Sequence, residues 1–496
     1  MLDLEREIEG LITDEDSLDE FRINKLFPLM ESKPEAVFKP SDKKDILKLI
    51  DFAKKNNTAL IPLSSTWDFF GSALALDGGI IIDLRNLNRI EKVRECYEGM
   101  NAEIEPGVTF KELNEHLVEY NLRSILPLRI PAGASVLSTY YGKHPLLETN
   151  KYGYQQDWML LTYQMAIHKG HFIGTGSEGL ETGGESGAFP FSPRTDLGRM
   201  FLGALGSYGI VSRGTCRLKY RPEKYEFLYS ESNDIEELIS NTREISLKSE
   251  AAQTVLISDS KILAGYLAET KSQYSNFIEK LPMWTAVLAI AGDDGFIKVE
   301  REDLIEAGNE VNFKISEEGY FENMSEILEE QFVSANNVGD SFEFNPYLRI
   351  EFYTTVNKIA RIRDNVGNFL RSSNIDEQEE IGFMVNSIEF GRTYYCEYDI
   401  FHGLTNIRPD SLPIMGNLNL LELYKNILEI IIKSGGVINV PRNKIISDIL
   451  YKQESLKRYY DTLRIIKYCL DPTNIMHPSI IFGGEGGIKP TKAMEE

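Results

Sequence analysis

The segment ALIPLSSTWDFFGSALALDGGIIIDL, residues 59–84, decides the fold of this chain. It contains two short apolar runs, Ala59–Pro62 and Ile80–Ile82, and the second run ends at Asp83. An apolar run without polar alternation is typical of a strand that is buried on both faces. Apolar residues at helical spacing over residues 46–53 predict a helix just before the first run. The segment therefore predicts two buried strands that are joined by a loop.

The loop between these strands, residues 62–72, is rich in small residues. Consecutive small residues let backbone N–H groups turn toward one point, and such a loop binds phosphate without a positive side chain. A loop rich in serine and glycine is also an ordinary turn. The loop taken alone leaves both interpretations open.

Three further segments extend the pattern outward from the loop. In EPGVTFKEL, residues 105–113, Thr109 and Glu112 predict a capping box at the start of a helix. Residues 203–210 are studded with glycine, which permits close approach of the backbone to a flat ligand or to another strand. LDPTNIMHP, residues 470–478, follows an amphipathic helical pattern over Ser455–Leu470. The glycine-rich segment does not follow the G-x-G-x-x-G fingerprint between a strand and a helix, so an NAD-binding Rossmann unit is not indicated.

Composition excludes several classes of protein. The 496 residues include 76 acidic and 53 basic ones, a formal charge of −23, whereas nucleic acids and anionic membranes attract basic surfaces. The four cysteines, Cys96, Cys216, Cys396 and Cys469, are far apart, which excludes a disulfide framework and the usual zinc and iron–sulfur spacings. The N-terminal segment has no signal-peptide pattern, and the apolar runs are shorter than the ~20 residues of a membrane span. We therefore expect a cytoplasmic protein with no nucleic-acid partner and no membrane span.

Residues 226–445 have a different pattern, in which strands alternate with helices, and this alternation predicts an α+β sheet domain. Asn233 and Glu236 predict the N-terminal cap of a helix over Ile235–Ile245. The other predicted elements are strands at Ala286–Ile290, Leu348–Tyr353 and Tyr394–Phe401 and helices at Lys358–Leu370 and Leu420–Ile432.

Five features follow one another along the chain: the serine loop, the apolar strand that ends in Asp-Leu, EPGVTFKEL, the glycine-rich segment and LDPTNIMHP. In this order they resemble the p-cresol methylhydroxylase/vanillyl-alcohol oxidase superfamily. Within it, the chain looks most like glycolate oxidase FAD subunits and FAD-linked D-lactate dehydrogenases. The resemblance implies an α+β fold, a two-subdomain p-cresol methylhydroxylase-type FAD-binding domain with an inserted α+β cap, or substrate, domain. The implied boundaries are 1–225 for the FAD-binding domain, 226–445 for the cap, and 446–496 for a C-terminal helix and tail that return to the FAD-binding domain.

The resemblance also implies FAD as the cofactor and assigns cofactor-binding residues by position. They belong to the pyrophosphate loop, a turn near the adenine or ribose, a second phosphate loop, the glycine-rich segment and the C-terminal return to the flavin. In that order they are Ser64, Ser65, Thr66 and Gly71; Pro106, Gly107 and Val108; Ser135, Val136 and Ser138; Gly206, Gly209 and Ile210; Asn474 and His477.

The sequence departs from the family pattern at several places. Thr66, Trp67 and Asp68 stand where the pyrophosphate loop normally carries more glycines, and bulky residues there can alter FAD affinity. The second loop lacks the family's IGG, and His477 stands where asparagine is usual. Because the first loop has no histidine, we expect dissociable FAD. The histidine-rich metal signature of the 2-hydroxy-acid enzymes and their Glu-His-Gly are missing, so we expect no catalytic metal.

Candidate catalytic residues come from the cap and its end. Oxidation needs a group that removes a proton, and a carboxylate substrate needs a planar cation. The densest source is the segment that runs from Arg392 through Tyr394 to His402. In a strand, Arg392, Tyr394, Cys396 and Tyr398 share one face, while Tyr395 and Glu397 share the other. One of these two faces can be directed at the flavin. Arg442 is the candidate carboxylate anchor. The alternatives are packing tyrosines, a surface histidine and an ordinary cation near the final helix.

The sequence therefore predicts an FAD-dependent oxidoreductase that oxidises a small hydroxy acid or alcohol by hydride transfer to the flavin. Electrons would pass to an electron-transfer protein partner or to a quinone. One alternative is a catalytically altered FAD-binding subunit of an electron-transfer complex, and substrate-dependent bleaching of the flavin separates it from an enzyme. Another is a flavin reductase of the sugar-nucleotide type. Homo- and hetero-oligomers both stay open.

Overall fold

The computed structural model describes residues 8, 10–94, 100–154, 159–180, 195–334, 343, 345–403, 407–478 and 480–482. Its strands, labelled in chain order, are β1 Leu11–Ile12, β2 Ala36–Phe38, β3 Leu60–Leu63, β4 Ile80–Asp83, β5 Ile90–Arg94, β6 Asn101–Ile104, β7 Leu122–Arg123, β8 Leu160–Ile167, β9 His171–Gly174, β10 Ile210–Arg217, β11 Lys219–Tyr220, β12 Lys224–Ser232, β13 Thr254–Asp259, β14 Trp284–Gly292, β15 Tyr347–Thr354, β16 Ile381–Ile388, β17 Thr393–Phe401, β18 Ile414–Met415 and β19 Leu418–Asn419. Its α-helices are Glu15–Asp19, Lys43–Asn56, Phe110–His116, Val136–Tyr141, Thr149–Tyr152, Leu197–Phe201, Ile235–Lys248, Ser260–Leu267, Lys271–Lys280, Asp294–Glu310, Met324–Ser334, Val356–Ser372, Glu377–Glu380, Leu420–Ser434, Lys444–Tyr451 and Lys457–Leu470.

The first sheet is built around the apolar strand of the opening segment. β4 lies between β2 and β3 and runs parallel to both, while β1 joins β2 in antiparallel fashion. All four residues of β4 are buried, because helix Lys43–Asn56 and the surrounding chain cover the sheet. The predicted doubly buried strand is thus confirmed.

The second sheet has the order β5-β6-β10-β8-β9 and is antiparallel. The glycine-rich segment 203–209 leads directly into β10, the central strand of this sheet. The predicted capping box is present, since Thr109 accepts from the Glu112 N–H and Glu112 accepts from the Thr109 N–H. It starts the helix Phe110–His116.

The C-terminal segment adds to the first sheet. The Leu60 N–H donates to the Ile475 carbonyl at 2.7 Å, and the His477 N–H donates to the Leu60 carbonyl at 2.9 Å. Residues 475–477 therefore extend the sheet beside β3, next to the loop that follows it. The preceding helix, Lys457–Leu470, is less buried than its pattern predicts, because Tyr459 is 60% exposed while Tyr460 is buried.

A buried lysine fixes this C-terminal return. Lys467 pairs with Asp471, and its ammonium donates to the carbonyls of Ser207 at 2.5 Å and Met476 at 2.6 Å. Burial lowers the pKa of Lys467 to about 8. One side chain thus connects the final helix, the glycine-rich segment and the strand beside β3.

The cap holds an antiparallel sheet of order β12-β14-β13-β16-β17-β15. β14, β15 and β17 confirm the predicted strands with slightly longer bounds, whereas β12, β13 and β16 were not predicted. The cap of the helix Ile235–Lys248 is Asp234, which accepts from the Glu236 N–H at 2.9 Å, so the prediction of Asn233 is wrong by one residue.

No helix within the described part of the chain is long and apolar enough to cross a membrane.

Candidate functional site

A cleft opens between the loop after β3, the Pro106 turn, the helix Val136–Tyr141 with the residues that follow it, and the glycine-rich segment that leads into β10. It encloses about 840 Å³ of space, counting its open mouth, which suits a nucleotide-sized ligand. Its lining residues are Pro62, Leu63, Ser64, Ser65, Trp67, Asp68, Ser72, Ala73, Leu84, Pro106, Leu137, Ser138, Tyr141, His144, Leu205, Gly206, Gly209 and Val211. We refer to this space as the cleft.

Six of the residues that the resemblance assigned to the cofactor line the cleft. They come from four separate segments of the sequence, and the fold brings them to one surface. They are Ser64, Ser65, Pro106, Ser138, Gly206 and Gly209.

The second phosphate loop is held against the Pro106 turn by one serine. The Ser135 hydroxyl donates to the Pro106 carbonyl at 2.6 Å and accepts from the Ser138 N–H at 3.1 Å. Ser135 thereby caps the helix Val136–Tyr141 and orients Ser138 toward the cleft. Ser135 and Val136 are themselves fully buried, so they support the cleft from behind.

The other assigned residues lie beside the cleft. Thr66 lines a second cavity on the far side of its loop. A side chain at Gly71, which has a φ of +70°, would come within 2.6 Å of the Phe27 ring, and one at Gly107 would come within 2.3 Å of the Arg85 carbonyl. These glycines therefore serve packing. Val108 and Ile210 are fully buried in the hydrophobic core.

Neither of the C-terminal residues, Asn474 and His477, lines the cleft. His477 is buried and its Nδ1 lies 2.6 Å from the Leu205 carbonyl, so it supports the turn that carries Gly206. Burial lowers the pKa of His477 to about 4, which keeps the ring neutral at pH 7. A side chain at Gly206, with a φ of +87°, would come within 2.4 Å of the Pro62 ring. Glycine is therefore required where these two walls of the cleft meet.

Two buried polar atoms in the wall of the cleft have no partner among the described residues. They are the Tyr141 hydroxyl and the His144 Nδ1. A buried polar group without a hydrogen bond is costly, so each of these atoms calls for a polar ligand atom in the cleft. The two side chains lie three residues apart, at and just beyond the end of the helix Val136–Tyr141.

Arg442 determines the form of His144. Its Nη1 lies 3.3 Å from the His144 Nε2. Because arginine only donates, Nε2 must accept, and the proton of the neutral ring is then on Nδ1, which is the atom without a partner. Burial, together with Arg442 and Arg349, holds the pKa of His144 well below its usual range. His144 thus presents an N–H donor to the cleft at neutral pH.

Arg442 itself is fully buried and is held by two parts of the chain. It forms an ion pair with Glu351 of β15, and it donates to the carbonyls of Gly142 at 2.6 Å and Lys143 at 3.1 Å. Its predicted role as carboxylate anchor stays a prediction. These contacts favour a positioning role, because Glu351 already neutralises the guanidinium.

The surface between the FAD-binding domain and the cap contains four buried charged residues. Arg129 pairs with Glu397 and, at 2.7 Å, with Asp399, while Arg349 lies 3.1 Å from Glu397. We refer to Arg129, Arg349, Glu397 and Asp399 as the junction cluster. Burial raises the pKa of Asp399 to about 7, against the opposing effect of Arg129. Arg129 and Arg349 hold the pKa of Glu397 below its usual range in spite of its burial.

The bulky residues of the pyrophosphate loop belong to this same surface. Phe69 stacks on Tyr347 with ring centroids 6.5 Å apart, and the guanidinium of Arg349 lies 4.6 Å from the Phe69 ring. The guanidinium of Arg442 lies 5.2 Å from the Phe70 ring. Phe69 and Phe70 of this loop therefore pack against the cap and against Arg442.

The structure does not bring the other catalytic candidates to the cleft. Arg392 is exposed and lies 3.9 Å from Glu389. Tyr394 is buried on the face of β17 opposite to Glu397 and Asp399, beside Gly391. His402 follows the end of β17, where its N–H donates to the Pro346 carbonyl at 3.3 Å. The predicted alternation in β17 is correct, but the odd-numbered face points to the FAD-binding domain.

Sequence reasoning did not single out Tyr141, and it ranked His144 and Arg129, in the region of the second loop, below the other candidates. Tyr141 and His144 both follow the second phosphate loop directly. The pattern that could have identified both residues is the i, i+3 spacing of two polar rings at the end of a capped helix, which places the rings on one side of the chain. Arg129 and Arg349 could not be linked in the sequence, because 220 residues separate them.

The donors around the cleft fit a flat nucleotide cofactor such as FAD. Serine hydroxyls line one wall, two unpartnered polar atoms lie on another, and Asp68 is the residue with a full negative charge among the described lining residues. Within the described residues, no group of three or more His, Cys, Asp or Glu side chains could hold a metal ion.

Comparison with known proteins agrees with this geometry. Residues 34–161 match the family described as an FAD binding domain. The chain is 22% identical over 473 residues to glycolate oxidase subunit GlcD of Bacillus subtilis (strain 168), covering 92% of this chain and 90% of that protein. It is 25% identical over 190 residues to the mitochondrial D-lactate dehydrogenase [cytochrome] of Arabidopsis thaliana, covering 38% of this chain but 31% of that protein.

The fold also has solved counterparts. The crystal structure of p-cresol methylhydroxylase with substrate bound superposes with a TM-score of 0.77 at 17% sequence identity, covering 96% of this chain and 94% of that one. This likeness shows a p-cresol methylhydroxylase-type fold. Residues 34–161 are an FAD-binding domain, and FAD is the cofactor.

Proposed function

Because the chain carries an FAD-binding domain and stands with the FAD-linked oxidases and dehydrogenases, we propose that it oxidises a small hydroxy acid or alcohol and passes the electrons to a protein or quinone acceptor. Bound FAD supplies the two-electron acceptor for such a reaction. The observation that carries the proposal is the pair of unpartnered polar atoms, on Tyr141 and His144, in the wall of the cleft.

Ser64, Ser65 and Ser138 would hold the diphosphate of the cofactor. All three line the cleft and carry no charge. The Ser64 and Ser65 hydroxyls would donate to the diphosphate, whereas the Ser138 hydroxyl donates to the Ser135 carbonyl at 3.3 Å and would turn from it to reach a ligand. A side chain at Gly206 would meet the Pro62 ring at 2.4 Å, so glycine there keeps two walls of the cleft apart. A side chain at Gly209 would meet the Ala166 carbonyl at 2.5 Å, so that glycine serves packing against β8. A dissociable cofactor is consistent with this set of neutral contacts.

His144 and Tyr141 would bind the reacting end of the substrate. The Nδ1–H of neutral His144 donates to a substrate oxygen, and the Tyr141 hydroxyl either donates to that oxygen or accepts from it. Arg442 is a positioning residue, since its contact with Nε2 fixes the proton on Nδ1. Burial raises the pKa of the Tyr141 hydroxyl above its usual range, so that hydroxyl keeps its proton at neutral pH.

The test is anaerobic reduction of the bound flavin over a panel of hydroxy acids and alcohols. We expect bleaching of the flavin absorption by at least one member of the panel, with saturation at increasing substrate. Purified protein that binds no flavin contradicts the proposal outright. Protein that binds FAD but is bleached by none of the panel, although dithionite reduces it, favours a catalytically altered subunit of an electron-transfer complex instead.

A further inference from the structure

Asp68 occupies an unusual place in the pyrophosphate loop. It is half-buried, it lines the cleft beside Ser64 and Ser65, and its carboxylate accepts hydrogen bonds from the loop itself. The donors are the Phe70 N–H at 3.3 Å, the Ala73 N–H at 3.0 Å and the Ser72 hydroxyl at 2.9 Å.

These are the kind of donor that a phosphate-binding loop turns toward its ligand. Backbone N–H groups that converge on one point form a concave site for an anion. In this loop the anion at that point is a side chain of the protein. The carboxylate of Asp68 therefore occupies the position that phosphate oxygens would take at such a site. It also brings a negative charge to the wall that would face the cofactor.

We propose that Asp68 sets the affinity of the cleft for FAD, by satisfying loop donors that would otherwise bind the diphosphate and by repelling its charge. This inference rests on the proposed function only for the identity of the cofactor. Asp68 thereby makes FAD binding weaker than the hydroxyls of the cleft alone would allow, which favours a cofactor that exchanges with the solution.

The variant Asp68→Asn separates the charge from the shape of the loop. The amide oxygen of asparagine still accepts from the Phe70 N–H and the Ser72 hydroxyl, whereas its NH₂ group cannot accept from the Ala73 N–H. The substitution thus frees the Ala73 N–H and removes one negative charge, with little change in side-chain volume. We expect FAD to bind about tenfold more tightly, the order set by one like charge close to a partly solvated phosphate.

The experiment is a titration of FAD-depleted full-length protein with FAD, followed by quenching of flavin fluorescence, and repeated with riboflavin. Riboflavin lacks the diphosphate, so its affinity should be equal in wild type and in Asp68→Asn. Inorganic pyrophosphate should compete with FAD more strongly in the variant. Asp77→Asn is the matched control, because it removes the same charge from an exposed position between this loop and β4 and should leave FAD affinity unchanged.

Each outcome decides the inference. Tighter binding of FAD but not of riboflavin in Asp68→Asn, with Asp77→Asn like wild type, supports it. Unchanged or weaker FAD binding by folded Asp68→Asn, with thermal unfolding as the check, overturns it, as does an equal gain for riboflavin. If neither protein binds FAD, both this inference and the cofactor premise are wrong. Substrate oxidation takes no part in the readout, so an inert protein that binds FAD contradicts the proposed function alone.

Discussion

The cleft and the junction cluster are both polar regions of one molecule, and they are built from opposite kinds of residue. Apart from Asp68, the polar residues that line the cleft are neutral, and two of their atoms have no partner among the described residues. The junction cluster is filled by two arginines and two carboxylates that pair with one another. A surface that must receive a ligand keeps neutral donors available, whereas a surface that must hold two domains together satisfies its charges internally.

One loop contributes to both regions. Ser64 and Ser65 face the cleft, while Phe69 and Phe70 pack beneath Arg349 and Arg442. The position of the cap and the shape of the cleft are therefore coupled through seven consecutive residues, 64–70. Changes in the junction cluster should first affect stability, and changes in the cleft should first affect binding and turnover.

The largest expected effect comes from Glu397→Gln in the junction cluster. It leaves Arg129 and Arg349 buried with one negative partner fewer, so the free energy of unfolding should fall by about 3–5 kcal/mol. Urea unfolding followed by circular dichroism measures it. A loss below 1 kcal/mol would mean that the cluster is solvated and that the contrast with the cleft is incorrect.

A loss of turnover is expected from His144→Gln in the cleft. Removing the oriented Nδ1–H should slow flavin reduction about a hundredfold, the lower range for a positioned catalytic group, while the protein stays folded. Stopped-flow reduction with the best substrate of the panel measures the rate. The control is His116→Gln, at an exposed helix end, which should reduce at the wild-type rate. Equal rates of flavin reduction in the two variants would show that His144 does not act on the substrate.

A pH effect is expected from Asp399. Its folded pKa, near 7, lies above the ordinary value of 3.8, so the folded protein keeps a proton that the unfolded chain releases between about pH 4 and pH 7. This carboxyl therefore stabilises the fold at the acid end of that window, and its contribution is lost as the pH rises, by at most about 1.4 kcal/mol per pH unit. Asp399→Asn should remove this slope.

The measurement is the free energy of unfolding of wild type and Asp399→Asn at several pH values across that window. The difference between the two proteins isolates Asp399, because the other titrating groups are common to both. A difference that does not change with pH would show that Asp399 is ionised throughout and that Arg129 outweighs its burial.

The smallest effect is expected from Arg392→Ala. Its guanidinium is exposed and makes one long ion pair, so both stability and flavin reduction should stay within about 0.5 kcal/mol of wild type. The same unfolding and stopped-flow assays apply. A strong loss of turnover here would restore the sequence-based assignment and would place the substrate on the outer end of the cap strand.

Much of the fold could be predicted because its signals are local. The apolar run that became β4, the Thr109 capping box and the predicted cap strands each depend on residues within a few positions of one another. β12, β13 and β16 were missed, and the cap of helix Ile235–Lys248 was displaced by one residue. For the site, the serine loop and the second phosphate loop were found from small residues that are continuous in the chain.

What the sequence determined by itself is thus the type of those elements whose patterns are local, together with the small-residue character of the loops that line the cleft. Only the tertiary structure decided which face of β17 points to the FAD-binding domain, that Arg442 is occupied by Glu351, and that Arg129 meets Glu397 and Asp399. Periodicity assigns residues to two faces but gives neither face a direction, since the direction depends on what packs against the sheet. Buried ion pairs likewise join residues far apart in the chain, and their partners are fixed only when the domains meet.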